Sequence, residues 1–427
     1  MKQMGERLGL WVTVGGLAAA LPTAANAAGF ALIEQNASGL GNAYAGAAAA
    51  AEDASTIFFN PAGLTFLPGR QVVFAAHAIK PSAKFDDQGS VAPFAKTLGG
   101  EGGDAGDWAL VPNAYLSWTL TDRLAVGIGV NAPFGLKTEY DDDWMGRFQA
   151  IESEVKTINL NPSIAYKVNE RLSLGVGLNY QYAEATLTRA VNFGPIAGEG
   201  GVKVEGEDDG SWGWNAGAIF SVTPDLRVGL AYRSAIEHKL EGDVTFDRPP
   251  LVPSAAAPDG GIYARTTLPE SASLSVFQRF DDRWDFMGDV TWTNWSRFKT
   301  LDIYRESGAL LQSTPENWDD SWRVSFGLSY RVNDAWKLRS GVAYDETPVS
   351  DAFRTARIPD NSRTWVSFGA QWKPRPSLAI DVGYAHLFIS EASIDDDQGT
   401  GVAGNGILRG EYEGSVDILS AQVAFSF

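Results

Sequence analysis

The sequence predicts an all-β fold: a transmembrane antiparallel β-barrel of about fourteen strands, with an N-terminal segment plugging its lumen. Three observations support this: the strand that ends the chain, a leader at its start, and alternating short and long connections. At the end of the chain, Leu419, Ala421, Val423, Phe425 and Phe427 alternate with small or polar residues. Such a strand can present one face to lipid and the other to the lumen.

The start of the chain is typical of a secretory signal peptide. Lys2 and Arg7 precede an apolar run over residues 8–21, which is followed by the A-x-A-like site Ala25-Asn26-Ala27. The run is too short to be a membrane-spanning helix. We therefore expect residues 1–27 to be removed, and the mature chain to begin at Ala28 and reach the outer membrane of a Gram-negative cell.

Composition narrows the classes of protein further. The 427 residues include no cysteine and carry a net charge of -18. An acidic chain is a poor candidate for binding nucleic acid, and a chain without thiols has neither thiolate catalysis nor thiolate metal sites. After the leader, no run of about 18 uncharged apolar residues could form a membrane helix. If the protein is embedded in a membrane, it must therefore span the membrane with β-strands.

Connections between the predicted strands fall into two groups. Six are short and rich in turn-forming residues, which we interpret as periplasmic turns, and seven are longer and rich in Gly, Pro or Asp. The short turns lie near residues 121–123, 169–170, 224–225, 281–283, 333–335 and 374–376. The predicted loops cover residues 86–107, 141–149, 192–210, 247–261, 306–316, 347–361 and 392–409. This arrangement implies an even number of strands with both chain ends in the periplasm. A soluble two-sheet sandwich would also alternate, but it explains neither the leader nor the terminal Phe427.

Residues 28–70 do not have the pattern of a strand. They are rich in Ala and Gly, with a weak helix candidate over residues 43–51. A segment this apolar is a poor candidate for a disordered tail, and the barrel lumen would shelter it; a periplasmic extension is the alternative. The predicted domains are thus the signal peptide 1–27, a plug 28–70 and the barrel 71–427.

One predicted strand is interrupted at Asn131-Ala132-Pro133-Phe134-Gly135. Pro133 has no N–H to donate to a neighbouring strand, so it is poorly tolerated between two partners. With Gly135 beside it, it predicts a break in pairing. The alternative is an ordinary entry into a loop.

Short motifs along the whole mature chain appear in a characteristic order. They are Ala28-Gly29-Phe30, Ser38-Gly39-Leu40-Gly41, Asn60-Pro61-Ala62, Asn131-Ala132-Pro133-Phe134-Gly135, Trp212-Gly213-Trp214-Asn215, Leu268-Pro269-Glu270, Trp292-Thr293-Asn294-Trp295-Ser296 and Ile358-Pro359-Asp360. In these residues and their order, the chain resembles the FadL family of outer-membrane long-chain fatty acid transporters.

The resemblance implies a fold and a mechanism. Asn60, Pro61 and Ala62 would belong to a hatch inside a fourteen-stranded barrel, and residues 131–135 would form a kink in the third strand that opens the wall sideways. Outer loops would capture a long-chain fatty acid, and hatch movement would release it through the kink without an energy source. Arg189 matches the family's carboxylate-binding arginine, whereas Asp319 occupies the position of the second basic residue, a lysine. A neutral aromatic or aliphatic hydrocarbon is therefore the alternative cargo.

Two other functional classes fit the sequence less well. An outer-membrane hydrolase would need a serine with a base and an orienting acid, and no local motif supplies them. A hydrophilic porin would not need an apolar plug. We expect a monomer among outer-membrane lipid and lipopolysaccharide, with no catalytic residues, no metal and no cofactor.

Overall fold

The computed structural model describes residues 29–427, so the predicted signal peptide and its cleavage site lie outside the described residues. The strand segments are β1 (Arg70–Asp87), β2 (Ala109–Thr119), β3 (Leu124–Asn131), β4 (Gly135–Glu139), β5 (Glu152–Lys167), β6 (Leu172–Asn192), β7 (Glu199–Ser221), β8 (Leu226–Arg233), β9 (Ile236–Asp247), β10 (Gly260–Leu268), β11 (Ser271–Arg279), β12 (Trp284–Thr293), β13 (Thr300–Arg305), β14 (Leu310–Pro315), β15 (Ser321–Arg331), β16 (Trp336–Asp345), β17 (Arg363–Arg375), β18 (Leu378–Ile389), β19 (Ala392–Asp397) and β20 (Ile407–Ser426).

Helices are few and short. They are α1 (Ala37–Leu40), α2 (Ala47–Ala50), α3 (Thr56–Phe59) and α4 (Gly194–Ala197), with 3₁₀-helices over Pro61–Phe66, Ser254–Ala256, Trp295–Arg297 and Asp351–Phe353. Across residues 29–427, no helix is both long and apolar enough to cross a membrane.

The segments form one closed antiparallel barrel of fourteen strands. Six of the fourteen are interrupted and comprise two segments each: β3/β4, β8/β9, β10/β11, β12/β13, β14/β15 and β18/β19. The last strand pairs with the first, from Gln71↔Ser426 to Asp87↔Gly410, which closes the ring. The predicted fold class is therefore confirmed. Closure also leaves no sheet edge for another chain to join at this seam.

Side chains alternate between lipid and lumen as the terminal strand predicts. On β20, Leu419 is exposed while Ser420 and Gln422 are buried, and on β15 Trp322 is exposed while Arg323 is buried. Near the short turns, exposed aromatic rings form a belt typical of a membrane interface. This belt includes Trp118, Tyr166, Trp284, Trp336, Trp372 and Phe425.

Three predicted loops contain strand. β14 lies within residues 306–316, and β19 and the start of β20 lie within residues 392–409, because these segments pair with neighbouring strands. The largest departure is at residues 192–210. Most of residues 192–210 are strand: β6 and β7 pair as far as Asn192↔Glu199, and residues 193–198 make the connection. The glycine-rich sequence indicates a loop, but Val202 packs with Val244 of β9 and Ile262 of β10 in an apolar cluster. Cross-strand packing thus overrides the local composition. These strands are much longer than the roughly 9–11 residues a membrane-spanning strand needs.

The segment before β1 lies against the inner face of the barrel. Its helices and 3₁₀-helix contact strands around the ring, including β5, β6, β11 and β18. The helix expected over residues 43–51 is wrong in extent, because only α2 forms: Ala43, Tyr44 and Ala51 adopt left-handed backbone angles (φ 50°, 54° and 48°) that end a helix. The structure's first strand begins at Arg70.

Within the predicted plug segment 28–70, residues 36–67 touch the wall at backbone distance. From here on, the name plug refers to residues 36–67 only. A Cβ on Gly341 would lie 2.2 Å from the carbonyl carbon of Asn42, and one on Gly229 would lie 2.0 Å from the carbonyl oxygen of Ala48. Only glycine leaves room for such contacts. Glu52 adds ion pairs to Arg339 (2.7 Å) and Lys337 (3.0 Å) of β16, and Arg339 also pairs with Asp381 of β18 (2.6 Å).

Candidate functional site

The third barrel strand is broken, and the break leaves part of the wall unpaired. The β2–β3 ladder stops at Ala114↔Val130, and β4 pairs only with β5, from Gly135↔Lys156 to Glu139↔Glu152. Residues 109–113 of β2 therefore face no strand on that side. We call this gap between residues 109–113 and 132–136 the window. A salt bridge between Lys137 and Asp107 (3.0 Å) bounds its outer end.

The backbone groups at the break form hydrogen bonds with β5 and with residues 30–32 instead of with β2. The Thr157 hydroxyl of β5 accepts from the Phe134 N–H (3.0 Å) and donates to the Phe134 carbonyl (2.7 Å). The Leu32 N–H donates to the Pro133 carbonyl (2.8 Å), and the Gly135 N–H donates to the Phe30 carbonyl (3.0 Å). The start of the described chain thus takes the place of the missing strand on the inner side. We call residues 29–35 the latch.

A cavity of about 830 Å³ connects the lumen to the window. Its inner lining includes Trp365 and Arg323, and the latch and the kink lie along its side. Its lining also includes Leu110, which is 72% exposed, and Ile158, which is 56% exposed, both on the outer face of the wall. The cavity therefore opens through the wall towards lipid. Its volume is within the range of about 300–1,000 Å³ that small-molecule sites occupy.

Phe30 of the latch lies in an aromatic cluster beside this cavity. Its ring centroid is 4.8 Å from Trp295, 5.8 Å from Trp318, 6.0 Å from Phe134 and 6.2 Å from Phe298. The rings meet edge to face, the geometry that aromatic pairs favour. Gly29 precedes Phe30 at φ +59°, where a Cβ would lie 2.7 Å from the Trp318 ring. Only glycine at position 29 therefore allows the latch to pack against this cluster.

Charged groups hold the same end of the latch. The Gly29 N–H donates to Asp360 (3.1 Å), and the Gly29 carbonyl accepts from Arg363 (3.2 Å). Arg363 and Asp360 are themselves paired at 2.9 Å. Further along, Gln35 donates to the Ala132 carbonyl (3.0 Å) and Asn113 donates to the Glu34 carbonyl (2.9 Å). The latch is thus bonded to both sides of the window.

Asn60, Pro61 and Ala62 lie in the plug. The Asn60 amide donates to the carbonyls of Ala48 (2.7 Å), Ala218 (3.1 Å) and Leu230 (3.2 Å), and its Oδ1 accepts from the Ala62 N–H (3.0 Å). Pro61 follows Asn60 as the first residue of the 3₁₀-helix, where its missing N–H has no cost. The motif fastens the plug to β7 and β8; its role as a gate stays a prediction.

Arg189 lies at the outer end of β6 and does not line the cavity. Its guanidinium donates to the Ala190 carbonyl and to Asn405, each at 3.3 Å. Arg357 lies near it; burial, followed by the charge of Arg189, lowers the pKa of Arg357 to about 10. Asp319 is exposed and likewise does not line the cavity. Arg189 as a carboxylate partner therefore stays a prediction.

The groups expected of other functions are not assembled here. His238 lies 2.7 Å from Asp208, but the Ser211 hydroxyl donates to Asp208 rather than to His238, so no serine is paired with a base in this trio. Within residues 29–427, no cluster of three or more His, Asp or Glu residues is arranged to hold a metal ion.

Sequence reasoning missed the latch contacts, although some signals were present. Trp295 and Asp360 belong to motifs noted for their order alone. Glu34 is an isolated acid that directly follows the apolar run of residues 30–33. The contacts themselves join residues far apart in the sequence, up to 331 positions for Gly29 and Asp360, and periodicity along one segment carries no information about them.

The plugged fourteen-strand barrel with a cavity opening through its wall defines a class of protein, the outer-membrane β-barrel transporters. The chain belongs to the outer membrane protein transport protein family (OMPP1/FadL/TodX), whose model matches residues 18–427. It is 35% identical to outer membrane protein P1 of Haemophilus influenzae, covering 85% of this chain and 86% of that protein. It is 29% identical to the long-chain fatty acid transport protein of Salmonella typhi, covering 88% and 91%.

Solved structures agree with this assignment. A FadL homologue from Pseudomonas aeruginosa superposes with a TM-score of 0.86 at 28% identity, covering 94% of this chain and 100% of that one. The Ralstonia pickettii toluene transporter TbuX shares the fold, with a TM-score of 0.68 at 18% identity over 91% and 98%. The predicted family and outer-membrane location are therefore confirmed, and the family comprises transport proteins rather than enzymes.

Proposed function

We propose that this protein carries long-chain fatty acids passively across the outer membrane and releases them sideways through the window. The observation that carries the proposal is the cavity, which joins the plugged lumen to exposed apolar residues of the wall. The family and the relatives named as fatty acid transporters support the choice of cargo.

Sideways release suits an apolar cargo. Leaving water stabilises a hydrocarbon chain by about 0.8 kcal/mol per methylene, so a sixteen-carbon chain released into the periplasm would forgo on the order of 10 kcal/mol. Exit through the wall keeps the chain in apolar surroundings. The transport step then needs no energy source, because the cargo moves down its own gradient.

Capture would begin on the outer loops. Phe94 and Ile196 are exposed there, and their loops are joined: Lys96 donates to the Gly194 carbonyl (3.3 Å) and Asn192 donates to the Phe94 carbonyl (3.1 Å). Exposed apolar side chains gathered at one place favour contact with a hydrophobic ligand. Lipopolysaccharide and outer-membrane lipid would surround this face.

Release would require the latch to leave its seat. Phe30 and the Leu32–Pro133 hydrogen bond lie between the lumen and the window, so cargo entering the aromatic cluster would compete with Phe30 for the same apolar contacts. The hatch movement expected from the sequence would then begin with the latch, its first residues. A gate role of the Asn60-Pro61-Ala62 motif would be a later step, and residues 131–135 would form the exit.

The exit is tested by restoring the ladder. Replacing Ala132-Pro133-Phe134 with residues that can pair continuously with β2 should reduce uptake of hydrophobic cargo while the barrel still folds, as judged by its heat-modifiable migration. Unchanged uptake would place the exit elsewhere.

The headgroup is tested with Arg189→Ala, using a fatty acid and its methyl ester in parallel. Loss of a buried cation should weaken binding of the acid by about 2 kcal/mol and affect the ester little. Equal binding of both ligands to both proteins would instead favour the second candidate, uptake of neutral hydrocarbons. One observation already favours that candidate: Arg189, the expected carboxylate partner, lies outside the cavity.

A further inference from the structure

Glu34 of the latch presents a carboxyl group to the cavity without a partner from another residue. The residue is only 5% exposed and lines the cavity beside the window. Its backbone carbonyl accepts from Asn113 (2.9 Å), and its carboxyl accepts from its own backbone N–H. Among residues 29–427, no other residue hydrogen-bonds or ion-pairs with this side chain. A buried polar group usually has more partners than that, so the carboxyl is available to a ligand.

The charges that act on Glu34 come from three adjacent strands of the wall. Arg323 of β15, Asp345 of β16 and Arg363 of β17 act on its carboxyl, and Tyr44 of the plug lies nearby. Arg363 is already paired with Asp360. On the window side, the neighbour that bonds Glu34 is the neutral Asn113.

Without Glu34, three acids already surround two arginines at this site. Asp345 and Asp289 act on Arg323, and Asp360 is paired with Arg363. An ionised Glu34 would add further negative charge and repel an arriving carboxylate. Burial raises the pKa of the Glu34 carboxyl to about 7, against the lowering effects of its own backbone N–H and of the two arginines. The group therefore holds its proton more readily than an exposed glutamate.

We propose that Glu34 carries a proton before cargo arrives and gives this proton to the carboxylate of an arriving fatty acid. The cargo then passes through the window as a neutral molecule. The O–H bond of Glu34 breaks and an O–H bond forms on the cargo. Glu34 is left as a carboxylate near Arg323 and Arg363, and it takes up a proton from water after the cargo leaves. This inference rests on the proposed function and adds a proton-transfer step to it.

The physical reason for the step is the cost of moving a charge into lipid. An ionised carboxylate is stabilised by water and not by hydrocarbon, whereas the protonated acid enters lipid far more readily. Arg323 supports the same site, since its Nε and Nη1 have no partner among residues 29–427 and could orient the carboxylate before the proton moves.

The test is flux into proteoliposomes loaded with a fatty-acid-binding reporter, measured with palmitate and with its methyl ester. Glu34→Gln can donate a hydrogen bond but not a proton. At about pH 6, below the pKa near 7, the acid-to-ester flux ratio should fall about tenfold in Glu34→Gln relative to wild type. At about pH 8.5 the two proteins should converge, because wild-type Glu34 is then ionised. The cargo has the same protonation equilibrium in both experiments. A pH-dependent difference between wild type and Glu34→Gln can therefore be assigned to residue 34.

Two variants complete the design. Glu34→Asp retains a carboxyl and should restore most of the ratio, and Glu205→Gln, on the exposed extension of β7, should behave as wild type at each pH. An unchanged ratio in Glu34→Gln, or a loss that does not vary with pH, would overturn the proton role and leave the proposed function standing. Wild-type protein that carries neither cargo would instead refute the proposed function itself.

Discussion

The latch and the plug are consecutive in sequence but differ in how they are held. The plug, residues 36–67, meets the wall backbone to backbone at glycines such as Gly229 and Gly341, and Glu52 pairs with two cations of β16. The latch, residues 29–35, is held by aromatic packing and a few hydrogen bonds at the edge of a cavity. This difference indicates that the latch, and not the plug, can open. Apolar contacts beside a cavity can be exchanged for contacts with cargo, whereas a buried ion pair cannot be broken without a large cost.

The largest effect is expected from the ion pairs of the plug. Glu52→Gln leaves Lys337 and Arg339 with less compensating charge in a buried setting, so the free energy of unfolding should fall by about 3–5 kcal/mol. Chemical denaturation of the refolded barrel measures this. Glu170→Gln removes an exposed pair with Lys167 and should cost no more than about 0.5 kcal/mol. Equal costs would mean that Glu52 is not an anchor.

Backbone contact between plug and wall should come next. Gly341→Ala places a methyl group 2.2 Å from the Asn42 carbonyl carbon and should destabilise the barrel by about 1–3 kcal/mol. The matched control is Gly288→Ala, whose Cβ would lie 3.8 Å from Phe326. If both substitutions have the same effect in denaturation, the close approach of the plug is unimportant for stability.

A smaller change in stability is expected from the latch. Phe30→Ala removes the ring at the centre of the aromatic cluster, but the latch can detach without unfolding the barrel, so the global free energy of unfolding should change by less than about 1 kcal/mol. Hydrogen exchange at Leu32 and Gly135 should nevertheless accelerate. Protection unchanged at those amides would mean that Phe30 does not hold the latch.

Asp360→Asn should have the smallest effect on stability. The amide can still accept from the Gly29 N–H but loses its charge interaction with Arg363. Arg363 keeps its hydrogen bond to the Gly29 carbonyl and the nearby charge of Asp345. We therefore expect faster exchange at Gly29 and a loss of no more than about 0.5 kcal/mol in the free energy of unfolding. A large loss of stability would place Asp360 among the anchors rather than in the latch.

Sequence patterns predicted more of the barrel than of the site. Alternation on β20, the signal-like leader and the turn asymmetry can each be read from local sequence, and together they predict a closed barrel. Pro133 predicted the break because a missing N–H is a local property. The errors were also local. Strand forms within three predicted loops, as in glycine-rich residues 199–210, where Val202 packs across three strands. The helix over residues 43–51 is shortened by close packing within the lumen. The contacts of Phe30, Gly29 and Glu34 depend on closure of the ring, which no single segment encodes.

The proposed function requires that cargo leave through the window and that the latch move to let it pass. Ala31 and Phe134 are bridge partners, close enough for a disulfide, and the natural chain has no cysteine to interfere. A variant with Ala31→Cys and Phe134→Cys should therefore lose uptake of hydrophobic cargo when oxidised and regain it when reduced. Phe326→Cys with Val342→Cys, between paired β15 and β16 on the lipid face, should be insensitive to oxidation. Full uptake by the oxidised latch variant, with the disulfide confirmed by mass spectrometry, would contradict the account.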